Sequence, residues 1–288
     1  MCRKRVLAAT VVCLGLMASS PAFALFGSSK PKPDKPAADA KAAPAAASPG
    51  KTAPAAPPRR AAPAERAAAN RLEPLAQATF WAREFELDHS DVEAGVKLSR
   101  ALRGIGRADE AVAIADQMVV IKPGDREALM ESGRANIAAN QAFYAVAKLE
   151  EAKRLDPKDW RPVSLLGVAY EAVQRDADAA AAFQEAVRLA PDNPGALTNL
   201  AMYQAGHGRA AEAEALLRRA AALPGSTAEV RLNLALVLGL NGQMAEAETL
   251  LRRDLPPDKV AMNLAYLRSG AAQPKAGGLS ALAPQGRP

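Results

Sequence analysis

The 288-residue sequence holds only two cysteines and two histidines, and this scarcity removes most of the side chains that metal and thiol chemistry require. Cys2 and Cys13 both fall in a segment that reads as a removable leader, so the mature chain is expected to have neither a disulfide nor a thiol nucleophile. His89 and His207 stand at expected loop positions, and no His/Cys metal cluster can be assembled from them. No strand pattern occurs, so no glycine-rich phosphate loop can follow a strand. Carboxylates are plentiful, but Glu150, Glu151 and Glu171 read as members of solvated helix faces, where charge pairing at helical spacing is ordinary. The chain is therefore expected to be no enzyme and to carry no metal or cofactor.

Residues 1–24 have the layout of a secretory signal peptide. Arg3, Lys4 and Arg5 form a basic start, Val6 to Met17 is an apolar run too short to span a bilayer, and Ala22-Phe23-Ala24 is a small-x-small cleavage site. An uncleaved membrane anchor is the competing reading, although Ser19, Ser20 and Pro21 interrupt the run. Bulky Val12 just before Cys13 argues against lipid attachment at that cysteine. The expected location is thus the periplasm, with or without association to the outer membrane.

Residues 25–62 lack large apolar side chains after Phe26 and are rich in Ala, Pro and Lys, so they cannot bury enough surface to offset the entropy of ordering. They read as an extended, Pro-stiffened tether. Seven basic residues there, from Lys30 to Arg60, oppose only Asp34 and Asp39; with the basic leader they exceed the whole chain's net +6, leaving the remainder net negative. A nucleic-acid partner is excluded for that remainder. The tether itself is either a solvated spacer or a weak contact for anionic lipid or cell-wall polymer.

What the chain does contain is a repeated unit. In the stretch 160–193, Val163, Leu166, Gly167 and Tyr170, then Ala179, Phe183 and Ala186, recur at three- and four-residue intervals, and Pro191 closes the second of two helices. Shifting by 34 residues aligns Ala179 with Ala111, Ala145, Ala213 and Ala247. Gly167 aligns with Ser99, Gly133, Ala201 and Ala235, always small, and Phe183 with Ala115, Leu149, Leu217 and Leu251. Asp91, Asp125, Asp159, Asn193 and Thr227 precede the copies as helix N-caps. Pro123 and Pro157 share the register of Pro191, and Pro224 and Pro256 come slightly early.

This pattern resembles the tetratricopeptide repeat, a helix-turn-helix unit of 34 residues. The resemblance implies an all-α fold, a right-handed superhelix of stacked helix pairs whose first helices line a concave face. An unrelated Ala-rich bundle is the competing architecture. The five units read as 92–125, 126–159, 160–193, 194–227 and 228–257. Residues 63–91 form a degenerate first unit in which Trp81 caps the stack, residues 258–268 a lone final helix, and residues 269–288 a Gly-, Ala- and Pro-rich disordered tail.

On this reading the inward registers of each first helix are those of Ser164, Leu165, Val168 and Glu171. They bring Arg100, Arg103 and Arg134 to the early part of the groove, with Val96, Lys97, Met130, Glu131 and Ile137. Thr198, Asn199, Met202 and Ala205, then Leu232, Asn233, Leu236 and Gly239, come to the late part. The groove is expected to be basic at its start and apolar at its end, and to hold a segment with an acidic and an apolar part; unselected variation between repeats is the alternative. Asn199, Asn233 and Asn263 share one register. Asn is poor inside helices, so each either contacts the ligand backbone, as the family resemblance implies, or bonds the neighbouring helix.

The run from Val230 to Ser269, and above all Asn263-Leu-Ala-Tyr-Leu-Arg268, is similar to the C-terminal region of the TadD family of Flp (Tad) pilus assembly. That resemblance implies a non-enzymatic bacterial assembly factor acting with the pilus secretin or pilus base. A general envelope adaptor for another secretion or polysaccharide machine is the other function class.

Overall fold

The computed structural model describes residues 59–271, and every regular element among them is a helix. The leader, the tether through residue 58 and the tail after residue 271 lie outside the described residues. Two helices, α1 (Pro63–Ala69) and α2 (Pro74–Leu87), precede the repeats. The five units then follow as α3 (Val92–Gly104) with α4 (Ala108–Ile121), α5 (Arg126–Ala138) with α6 (Ala142–Leu155), α7 (Trp160–Ala172) with α8 (Asp176–Leu189), α9 (Pro194–Gly206) with α10 (Ala210–Ala222), and α11 (Ala228–Leu240) with α12 (Met244–Asp254). A lone helix, α13 (Pro257–Ala271), ends the array. No helix among the described residues is long and apolar enough to cross a membrane.

The first helix of every unit starts on a side-chain cap. Asp91, Asp125 and Thr227 accept from the N–H three residues on, Asp159 accepts from Arg161 N–H, and Asn193 from both Gly195 and Ala196. Each such cap contributes about 1 kcal/mol. The second helices stop one residue before a proline: Lys122, Asp156, Ala190, Leu223 and Leu255 are their C-caps, and Pro123, Pro157, Pro191, Pro224 and Pro256 follow.

The turn between the two helices of a unit is built alike five times. The residue after each first-helix C-cap takes a left-handed conformation: Gly106, Asn140, Gln174, Gly208 and Gly242. This lets the next N–H reach back to close the helix, as Arg107 does to Leu102, Gln141 to Asn136, Arg175 to Tyr170, Arg209 to Gln204 and Gln243 to Leu238, at 2.8–2.9 Å.

The recurring alanines explain why the pairs pack so closely. Ala111, Ala145, Ala179, Ala213 and Ala247 are all fully buried. Opposite them the small register is equally constrained, since a Cβ on Gly133 would lie 2.5 Å from Leu149 and one on Gly167 would lie 2.7 Å from Phe183. Successive first helices pack on one another, and each second helix leans on the first helix of the next unit. The first helices therefore form the inner wall of a helical-repeat solenoid.

Both ends depart from the repeat. Trp81 is fully buried between Phe80, which meets it edge-on, and the Arg66 guanidinium, 5.1 Å from its ring. Buried Glu84 accepts from the Ala61 N–H with both oxygens, at 3.0 and 3.1 Å, so the last tether residues are fastened to the first unit and the ordered part begins before residue 63. At the other end α13 runs three residues past Arg268. Val260, Leu264 and Leu267 cover the last apolar face, and Leu267 fills the space left by Gly239.

Candidate functional site

The inner wall carries the residues expected in the groove, but its basic end is partly neutralised. Glu131 on α5 is 0% exposed and sits among all three arginines. Arg103 Nε donates to its Oε1 at 3.1 Å, Arg100 Nε lies 3.6 Å from Oε2, and Arg134 Nη1 lies 3.5 Å from the same oxygen. Burial is the main reason that the Arg134 guanidinium holds its proton less firmly than usual, and Arg100 and Arg103 add to it while Glu131 opposes them. The side chains of Arg100 and Arg103 are 43% and 28% exposed, against 22% for Arg134. Three guanidinium groups around one carboxylate leave a net positive patch, offered to an acidic ligand mainly by Arg100 and Arg103. The offsetting role of Glu131 was legible, since it precedes Arg134 by three residues on one helix face.

The asparagine register divides. Asn199 Nδ2 donates to Ser164 Oγ at 2.7 Å, so this residue ties α9 to α7. Asn263 Nδ2 turns back to the Lys259 carbonyl of its own helix at 2.8 Å. Asn233 is half-buried and makes no side-chain hydrogen bond among the described residues. Asn233 alone keeps an amide free for a ligand backbone. Val168, Met202 and Leu236 are half-buried on the same wall and form its apolar part.

From the third unit on, the fourth register does not open onto the groove. Ala205 and Gly239 are buried, and Gly239 lies under Leu267 of the next first helix. Arg103, in the same register, reaches across to Glu131 on α5. Glu171 follows this rule: it is 8% exposed, which corrects its expected place on a solvated face. Burial pushes its carboxyl up to about 7, Asp176 pushes in the same direction, and His207 opposes both. The periodicity alone could not show this, because the covering group comes from a different unit.

Among the described residues no group of His, Asp and Glu is placed to hold a metal ion. The arrangement can bind and orient another chain through charge at one end and apolar contact at the other.

No family model matches the sequence, and comparison with curated proteins returns no match. Solved structures do resemble it. TTC0263, a thermophilic TPR protein of Thermus thermophilus, is 22% identical and aligns with a TM-score of 0.55 over 62% of this chain and 99% of its own. MamA from Desulfovibrio magneticus RS-1 is 21% identical, with a TM-score of 0.46 over 55% of this chain and 89% of its own. YrrB, a TPR protein with an unusual peptide-binding site, is 17% identical, with a TM-score of 0.40 over 65% of this chain and 98% of its own. The first likeness establishes the fold as a tetratricopeptide-repeat solenoid.

Proposed function

We propose that this chain is an exported protein-interaction scaffold of the bacterial cell envelope, acting in assembly of a Flp (Tad)-type pilus with the secretin or pilus base. Tetratricopeptide solenoids serve protein partners in general, and the leader-like start of the sequence agrees with export. The observation that carries the reading is the two-part inner wall, with Arg100 exposed and Arg103 half-buried over a buried Glu131 at one end and Met202 and Leu236 at the other. Such a wall fits an extended segment with an acidic part and an apolar part. Binding is passive: shape and charge bring two chains together, and no bond is made or broken.

The test is affinity capture from solubilised envelopes with the chain from Leu25 onward, tagged at its C-terminus. A secretin or pilus-base protein should be retained, and Arg100→Ser with Arg103→Ser should reduce its retention in low salt more than in high salt. Deletion of the gene should abolish surface pili. Retention unaffected by the two substitutions refutes the groove, and intact piliation on deletion refutes the pilus role.

A further inference from the structure

Of the four joints between the five units, the one between 160–193 and 194–227 is the thinnest. α7 and α9 meet less closely than any other two successive first helices of these units, and α8 leans on α9 less closely than α4 on α5, α6 on α7 or α10 on α11. His207 Nε2 lies 4.0 Å from Asp176 Oδ1 across the joint. Asn199 donates to Ser164, the Tyr203 hydroxyl donates to the Asp176 carbonyl at 3.0 Å, and Arg219 holds the Pro191 carbonyl and Asp192 on the exposed side. The rings of Phe183 and Tyr203 lie 5.2 Å apart across it. This joint also divides the wall between Val168, on the side of the arginines, and Met202 and Leu236 beyond it.

Glu171 occupies the last turn of α7, inside this joint, and its carboxyl makes no hydrogen bond or ion pair among the described residues. At the joint of α3 and α5 the same register holds Arg103, which finds Glu131 across the seam. The Glu171 carboxyl makes no such ion pair. From α8 Asp176 repels it, from α9 His207 favours its ionised form and the Tyr203 phenol shares the same seam, and α5 and α6 bring no charged group that acts on it. The free carbonyls at the end of α7 disfavour a carboxylate further. A buried acid without a partner is stable only as the neutral carboxyl.

We propose that the joint between α7 and α9 is a proton-sensitive hinge of the groove. With Glu171 protonated the two helices close over a neutral carboxyl. With Glu171 ionised the carboxylate draws in water, the joint loosens, and Met202 and Leu236 lose their fixed relation to the arginines and Val168. The consequence for a partner rests on the groove reading above, whereas the hinge itself does not.

Amide hydrogen exchange on the chain from Leu25 onward, at pH 6 and pH 8 and scaled for intrinsic exchange rates, tests this. Amides in 167–173 and 197–207 should lose about tenfold protection at pH 8, the ratio given by a carboxyl of pKa about 7 when closed and 4.5 when open. Amides of α4 and α6 should not change. Glu171→Gln should remove the difference, and His207→Gln should keep it. Equal protection at the two pH values in the unaltered chain overturns the hinge, as does a difference that survives Glu171→Gln or vanishes with His207→Gln. Partner retention unaffected by the Arg100 and Arg103 substitutions, with the exchange pattern as expected, would count against the groove alone.

Discussion

Gln174→Gly should stabilise the protein. Gln174 sits at φ 61°, in the register where Gly106, Gly208 and Gly242 take 81°, 76° and 82° and Asn140 takes 58°. Its N–H bonds the Glu171 carbonyl at 3.0 Å, and the next N–H bonds Tyr170 at 2.8 Å, so the helix closure locks it in this conformation. A left-handed backbone costs a side-chain-bearing residue about 1–2 kcal/mol. The extra freedom of glycine in the unfolded chain takes back about 0.5–1 kcal/mol. The exposed Gln174 side chain makes no bond among the described residues that the change would lose. The net gain is about 0.5–1 kcal/mol, a rise in Tm of about 1–4 °C for a domain of this size. Urea unfolding should show a higher midpoint with an unchanged slope. The reciprocal change, Gly208→Gln, should lower the midpoint by a similar amount. A lower or equal midpoint for Gln174→Gly, or no loss for Gly208→Gln, would refute the reasoning.

Ala179→Trp should cost about 1–3 kcal/mol or more by overpacking a fully buried position, and the adjoining units should lose exchange protection with it; a neutral effect on urea unfolding would contradict the close approach of α7 and α8. For Glu171, whose folded pKa of about 7 lies above the ordinary 4.5, the native state keeps a proton that the unfolded chain has lost, so stability is full below 4.5 and falls as pH rises to 7. The loss amounts to about 3 kcal/mol, and Glu171→Gln should flatten it in a pH series of thermal melts. Glu84→Ala removes both acceptors of the Ala61 N–H and strips Arg66 of a carboxylate 3.7 Å away, at about 2 kcal/mol. Residues 60–62 should then become the first site of limited proteolysis, and unchanged cleavage would show that Glu84 does not fasten them.

The helix pairs, their caps and their pitch are local properties, so the sequence alone specifies them. Apolar spacing within one unit selects helix, an Asp, Asn or Thr starts it, a proline stops it, and an alanine recurring at one register demands close packing. The left-handed turn was equally present in Gly106, Gly208 and Gly242, but Asn140 and Gln174 mask it, because only the backbone reveals that they share its conformation. The groove was legible as a set of registers, not as a set of exposed groups. Which side chain reaches the wall depends on what the next unit lays over it. Arg134 crowds Glu131, Asn199 bonds Ser164 while Asn263 folds back on its own helix, and Gly239 disappears beneath Leu267. Burial of Glu171 is the same kind of fact. A carboxyl's solvation is set by distant parts of the chain that stack against it, and no pattern within its own helix records them.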